Sequence, residues 1–176
     1  EGDLPLEILP LGAKRQIGPF HVELISMSHS IPEPTALAIR TPLGTALHTG
    51  DWKLDEMPLT SAPTDENRLR ELGDQGVDAL ICDSTNAIRK GVSPSEADVA
   101  KNLLRLIRQA PNCVAVTTFA SNVARLISVV NAAKAAGREL IVVGRAMYRV
   151  IEAAQITGYI DPELRFHQET AFSQFS

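Results

Sequence analysis

The feature that most constrains this chain is an alternation in its second half. Three short apolar runs, residues 77–83 (VDALICD), 112–119 (NCVAVTTF) and 138–144 (RELIVVG), are each followed by a segment of helical character. Continuous apolar runs of this length fit strands buried on both faces. Strands alternating with helices predict a parallel sheet carrying helices on its faces. Sheets of that kind bind ligands at the carboxyl ends of their strands, beside helix N-termini. The first helix has a marked start at Ser93-Pro94-Ser95-Glu96 and runs to about Gln109. There a serine caps free amides, a proline fits the first turn and a glutamate reaches back. The next two helices, in SNVARLISVVNAAKAAG and RAMYRVIEAAQITG, end near glycines.

The first half reads differently. Residues 6–11 (LEILPL), 20–27 (FHVELISM) and 35–41 (TALAIRT) have strand character. The last of these opens a hairpin around Pro42-Leu43-Gly44 that ends at Asp51. Residues 64–73 predict a short helix closed by Gly73, and the run at 77–83 a strand buried on both sides. No complete element is expected beyond about residue 161, and the chain is expected to be an internal fragment of a longer protein. The expected division is residues 1–87 and residues 88–176.

Apolar residues make up 44% and charged residues 22%, which places the chain among ordinary globular domains rather than disordered or fibrous ones. No apolar run approaches the ~20 residues of a membrane span, and the start lacks a signal-peptide profile, so a cytoplasmic protein without membrane contact is expected. Cys82 and Cys113 lie in apolar runs without CxxC spacing, which predicts buried, reduced thiols. The net charge of −4 divides unevenly: residues 1–87 carry 6 Lys/Arg against 14 Asp/Glu, and residues 88–176 carry 11 against 7. An acidic half of −8 and a basic half of +4 fit a metal-binding part joined to a polyanion-binding part, although solvated surface faces give similar counts.

His29 follows a strand directly and Asp51 ends the hairpin, an arrangement that brings an imidazole and a carboxylate to one sheet edge. Alone, a histidine at a strand end is more often a structural hydrogen-bonder. Two ligands also cannot hold a dinuclear site.

Ser28-His29-Ser30-Ile31-Pro32 and His48-Thr49-Gly50-Asp51 resemble the third and fourth metal motifs of the metallo-β-lactamase fold as ribonuclease J enzymes carry them. Asp83-Ser84-Thr85-Asn86 resembles the acidic motif at which the β-CASP insertion begins. Thr118-Phe119-Ala120-Ser121-Asn122 and Val143-Gly144-Arg145-Ala146-Met147 resemble that family's next two strand-to-helix loops. The likeness covers nearly the whole chain in the right order. It implies an α/β chain holding the C-terminal part of a metallo-β-lactamase αββα sandwich, followed by most of a β-CASP domain with a parallel, flavodoxin-like sheet.

For the intact protein the resemblance implies a zinc-dependent ribonuclease, with endonuclease and 5′-3′ exonuclease action, two zinc ions and a homo-oligomeric state. His29 would ligate one zinc and Asp51 would bridge both; Asp83 would sit at the domain junction and orient catalytic groups. His48 is assigned a supporting or hairpin role rather than that of a ligand. Ser121, Asn122, Arg125, Gly144 and Arg145 would grip RNA phosphates at helix starts. Arg89 and Lys90 fit either an RNA-backbone contact or a solvated cationic loop. His21 and His167 match no motif.

Where the family usually reads SN-x-H-R, this chain has Ala124, and where it reads GRSM, this chain has Ala146. The family's HxHxDH motif and its final histidine motif of the HxSGH kind do not occur, so residues 1–176 alone are expected to bind zinc poorly and to be inactive. Rival readings are a DNA-repair or mRNA 3′-end nuclease of the same superfamily, or a non-catalytic nucleotide-binding module.

Overall fold

The computed structural model describes residues 6–175. They divide into two units: one takes in residues up to His29, Glu33–Leu54 and Ala62–Gly91, the other Ser30–Pro32, Asp55–Ser61 and Val92 onward.

The first unit is built on a sheet of order β1-β2-β3-β4-β5, with β1 Lys14–Ile17, β2 Phe20–Ser26, β3 Thr35–Thr41, β4 Gly44–His48 and β5 Ala79–Ile81. The first four strands are antiparallel neighbours, and β5 joins β4 in parallel. The hairpin around Pro42-Leu43 forms as the sequence predicts. Gly44 is required there: its φ is 148°, and a Cβ would come within 2.5 Å of the Asp78 carboxylate, which accepts the Thr45 amide at 2.8 Å.

Strand period sorts the residues of β2 and β3 onto two faces. Glu23 lies opposite Ala38 and Ile25 opposite Ala36 on one face, and this face is buried. Its small alanines admit the helix α1, Glu66–Gln75, whose Leu72 is fully buried against Ile25, Met27, Ala36 and Ala38. Helix α1 starts where Asp65 accepts the Arg68 amide at 3.0 Å. It runs through Gly73, where the sequence expectation closed it, and ends at Gly76; a glycine inside a helix costs only about 1 kcal/mol.

The second unit contains α2 Glu96–Gln109, α3 Val123–Ala135, β6 Ile141–Val142, α4 Arg145–Ile156, β7 His167–Gln168 and a 3-10 helix, Glu169–Gln174. α2 starts two residues later than the capping-box reading places it. Ser95 rather than Ser93 accepts the Ala97 amide at 3.0 Å, Pro94 stays outside the helix, and the Glu96 carboxylate meets Arg125 instead of reaching back to the cap. The core joins Val123, Leu126, Val142, Ile151, Ala154 and Ile160. β6 and β7 pair in parallel. His167 accompanies this pairing, with Nε2 3.1 Å from Glu139 and its ring 4.6 Å from that of Phe175, whereas His21 is exposed.

Besides the end of α1 and the start of α2, further expectations are corrected. The region beyond residue 161, expected to hold no complete element, carries β7 and the 3-10 helix, because His167–Gln168 finds a ladder partner in β6. Residues 6–11 form no strand: Pro10 lacks an amide donor, the chain turns at Leu11-Gly12, and β1 begins only at Lys14. The run 112–119 forms no paired strand; among the described residues β6 pairs with β7 alone. β5 is not buried on both faces; it is a sheet edge, with Leu80 62% and Ile81 50% exposed. Both cysteines are free but exposed, since Cys82 follows that edge strand and Cys113 lies in the unpaired run.

A candidate active-site edge at the ends of three strands

Two antiparallel steps from β2 through β3 to β4, and one parallel step to β5, leave β2, β4 and β5 running the same way. Their carboxyl ends therefore share one edge of the sheet. His29 lies three residues beyond Ser26 at the end of β2, Asp51 three beyond His48 at the end of β4, and Asp83 two beyond Ile81 at the end of β5. The sequence predicts this shared edge for His29 and Asp51, and the strand directions provide it.

Residues beside the three candidates stitch the loops together. The Lys53 amide donates to the Ser28 carbonyl at 2.9 Å and the Ser28 hydroxyl returns a bond to the Lys53 carbonyl, joining the loops of His29 and Asp51. Ser28 is fully buried, and its amide donates to Thr64 Oγ1 at 3.0 Å. The Thr49 amide donates to the Ile81 carbonyl at 3.0 Å, the Asp83 amide to Thr49 Oγ1 at 3.3 Å and Trp52 Nε1 to the Asp83 carbonyl at 3.0 Å. These bonds join the loops of Asp51 and Asp83. Sequence patterning missed Ser28, Thr49 and Trp52, whose only signal is adjacency to motif residues.

The Asp83 carboxylate accepts the Thr85 hydroxyl and, at 2.9 Å, the Thr85 amide. Those two bonds hold its pKa below the ordinary carboxylate value against partial desolvation, and the His29 imidazole adds a smaller electrostatic pull. Asp51 is exposed and follows Gly50, whose φ is 61°. His48 is exposed, and its Nδ1 accepts the Gly50 amide at 3.1 Å, so the ring braces the turn that presents Asp51.

The donors suit zinc in kind, an imidazole nitrogen and a carboxylate, but not in number. Among the described residues no three His, Cys, Asp or Glu side chains gather to hold a metal ion. A zinc site needs about four ligands, at least three of them from protein.

In the second unit, Asn122 Oδ1 accepts the Arg125 amide at 2.8 Å as the cap of α3. The Arg125 guanidinium meets the buried Glu96 carboxylate at 3.3 Å, while its Nε is buried without a hydrogen-bond partner. The Glu96 amide in turn donates to Asp55 at 2.9 Å. Ser121 and Arg145 are exposed; Gly144, with φ of 101°, precedes α4 without a side-chain cap. Ala124, where the family pattern carries a histidine, is fully buried, with its amide donating to the Ser30 carbonyl at 3.3 Å. Arg89 and Lys90 are exposed in the first unit.

Residues 111–174 match the family model described as the beta-CASP domain of ribonuclease J. The chain is therefore a mixed α/β protein with a β-CASP part. It is 49% identical over 170 residues to a ribonuclease J of Sinorhizobium meliloti, covering 97% of this chain and 30% of that protein. It is also 50% identical over 145 residues to a ribonuclease J of Mycolicibacterium smegmatis, covering 82% and 26%. The chain belongs to the ribonuclease J family and spans less than a third of the length of these relatives. A crystal structure of a protein of unknown function from Enterococcus faecalis V583 shares the fold, with a TM-score of 0.62, 20% identity and coverage of 96% of this chain and 38% of that one.

Proposed function

We propose that this chain is a segment of a metal-dependent ribonuclease that hydrolyses RNA phosphodiester bonds internally and from the 5′ end. The observation that carries this reading is the common edge at which the loops of His29, Asp51 and Asp83 emerge, stitched through Ser28, Thr49, Trp52 and Lys53. In this reading the first unit is the C-terminal part of a metallo-β-lactamase sandwich. His29 and Asp51 contribute two of the zinc donors, and the others come from parts of the protein outside residues 1–176. Zinc, when bound, supplies Lewis acidity toward water and phosphate oxygens.

The chain's own residues then have separate tasks. His29 offers an imidazole nitrogen and Asp51 an exposed carboxylate, while Asp83, kept ionised by Thr85, orients the groups beside it. Arg145 and Ser121, exposed at the starts of α4 and α3, meet the RNA backbone with the Gly144 and neighbouring amides. Asn122 and Arg125 serve by fixing the start of α3, through the cap and through Glu96.

The test is made on the full-length protein with 5′-monophosphorylated RNA and, in parallel, single-stranded DNA. Asp51→Ala is expected to lower kcat by at least ~100-fold with an unchanged circular dichroism spectrum, and RNA to be preferred. A folded Asp51→Ala protein with full activity would sink the reading, and equal cleavage of DNA would redirect it to the DNA-repair branch.

A further inference from the structure

We infer that Thr49 is a positioning residue whose hydroxyl holds the Asp83 loop in register with the Asp51 loop, an inference that rests on the reading of those two carboxylates given above. Thr49 is 7% exposed, so its hydroxyl must find partners within the protein. It uses both of its capacities. Oγ1 donates to the Gly50 carbonyl at 2.8 Å, on the peptide unit that leads into Asp51, and accepts the Asp83 amide at 3.3 Å. The Thr49 amide donates to the Ile81 carbonyl at 3.0 Å, extending the pairing of β4 and β5 to the threshold of both loops.

The other polar group of the Asp83 backbone is also held from the same side. Trp52 Nε1 donates to the Asp83 carbonyl at 3.0 Å, so the residues two before and one after Asp51 grip Asp83 by its amide and its carbonyl. Gly50, between Thr49 and Asp51, holds a φ of 61°, a left-handed conformation that favours glycine. Of these contacts, only the Thr49 hydroxyl touches the backbone on both the Asp51 side and the Asp83 side, which makes it the hinge of the arrangement.

Shape and hydrogen bonding can be separated at this position. Thr49→Val keeps the buried, β-branched shape and removes the hydroxyl; Thr49→Ser keeps the hydroxyl and removes a methyl. Supporting groups of this kind are worth about 10–100-fold in activity when lost. In the full-length enzyme, Thr49→Val is expected to lower kcat on 5′-monophosphorylated RNA by about 10-fold or more with KM little changed, and Thr49→Ser to restore most of it. Hydrogen exchange of the Asp83 amide, corrected for its intrinsic rate, is expected to accelerate in Thr49→Val and not in Thr49→Ser. Trp52→Phe, which keeps a ring and deletes the N–H, is expected to deepen the kcat loss when combined with Thr49→Val.

Equal losses in the Val and Ser variants would show that volume rather than the hydroxyl matters, and would overturn the inference. An inactive Asp51→Ala protein beside a Thr49→Val protein with wild-type kcat would overturn the role of Thr49 alone. Full activity in Asp51→Ala would remove the underlying reading and the inference with it.

Discussion

Glu23 is a carboxylate placed in the middle of an apolar face, 3% exposed, and three cations converge on it. Arg68 donates Nε at 2.6 Å and Nη2 at 2.9 Å, Arg40 donates Nη1 at 2.9 Å, and Lys14 lies at 3.6 Å. The hydrogen bonds from Arg68, with those from Arg40, overcome the cost of burial and lower its pKa from 4.5 to about 2. A depressed folded-state pKa contributes stability that is present above the unfolded value and lost as pH falls through the folded one. Here that window runs from about pH 4.5 down to about pH 2, and the linked stabilisation is on the order of 3 kcal/mol. Glu23→Gln is therefore expected to abolish most of the acid dependence of amide protection in β2 and α1. It is also expected to weaken that protection at neutral pH, because Arg68 and Arg40 then lose their buried ionic partner and Arg68 keeps only the exposed Glu71. Unchanged acid dependence in this variant, followed by hydrogen exchange between about pH 5 and pH 3, would contradict the assignment.

Helix α1 is held to the sheet by one fully buried leucine and by the ion pair just described. Leu72 meets Ile25, Met27, Ala36 and Ala38 where the alanines of β3 leave room for it. Deleting its side chain leaves a cavity that a β-sheet floor cannot fill by collapse. Leu72→Ala is expected to cost about 2–5 kcal/mol, read as a loss of amide protection in α1 and β3. This element also bears on the site: the segment leading into α1 accepts the Ser28 amide at Thr64 and sends the Asp65 amide to the Ser26 carbonyl at 3.0 Å. A loosened α1 therefore releases the end of β2 that carries His29. In α2 and α3 the corresponding restraint is polar. The buried Asp55 and Glu96 and the partly buried Arg125 form a chain across three segments, which places the start of α2 against that of α3.

At the scale of the whole chain, the two units differ in what they keep covered. In the first, the helix-facing side of the sheet is closed, whereas its last strand β5 is an exposed edge. In the second, an apolar groove runs between the unpaired residues 113–118 and β6, lined by Val114, Val116, Ile141, Val142 and Phe172. No helix among the described residues is long and apolar enough to cross a membrane. The donor count gives a further expectation: titration calorimetry of residues 1–176 with zinc is expected to find no site tighter than micromolar, since His29 and Asp51 are two donors of the three or four a site requires. A nanomolar site in this segment would show that its own residues close a centre unaided.

The sequence by itself determined what acts over a few residues. The turn at Pro42-Leu43-Gly44 and the start of α3 at Asn122 follow from side chains bonding to backbone two or three positions away. It also determined which residues stand just past strand ends, and so the identity of His29, Asp51 and Asp83 as candidates. Tertiary structure alone decided whether an apolar run found ladder partners on both sides, which separated β5 and residues 112–119 from the buried strands their composition predicts. It likewise decided that Thr49 and Trp52 hold Asp83, more than thirty residues on, and that Arg125 faces Glu96 rather than solvent. Burial and long-range pairing depend on which segments the folded chain brings alongside, and local pattern carries no record of that.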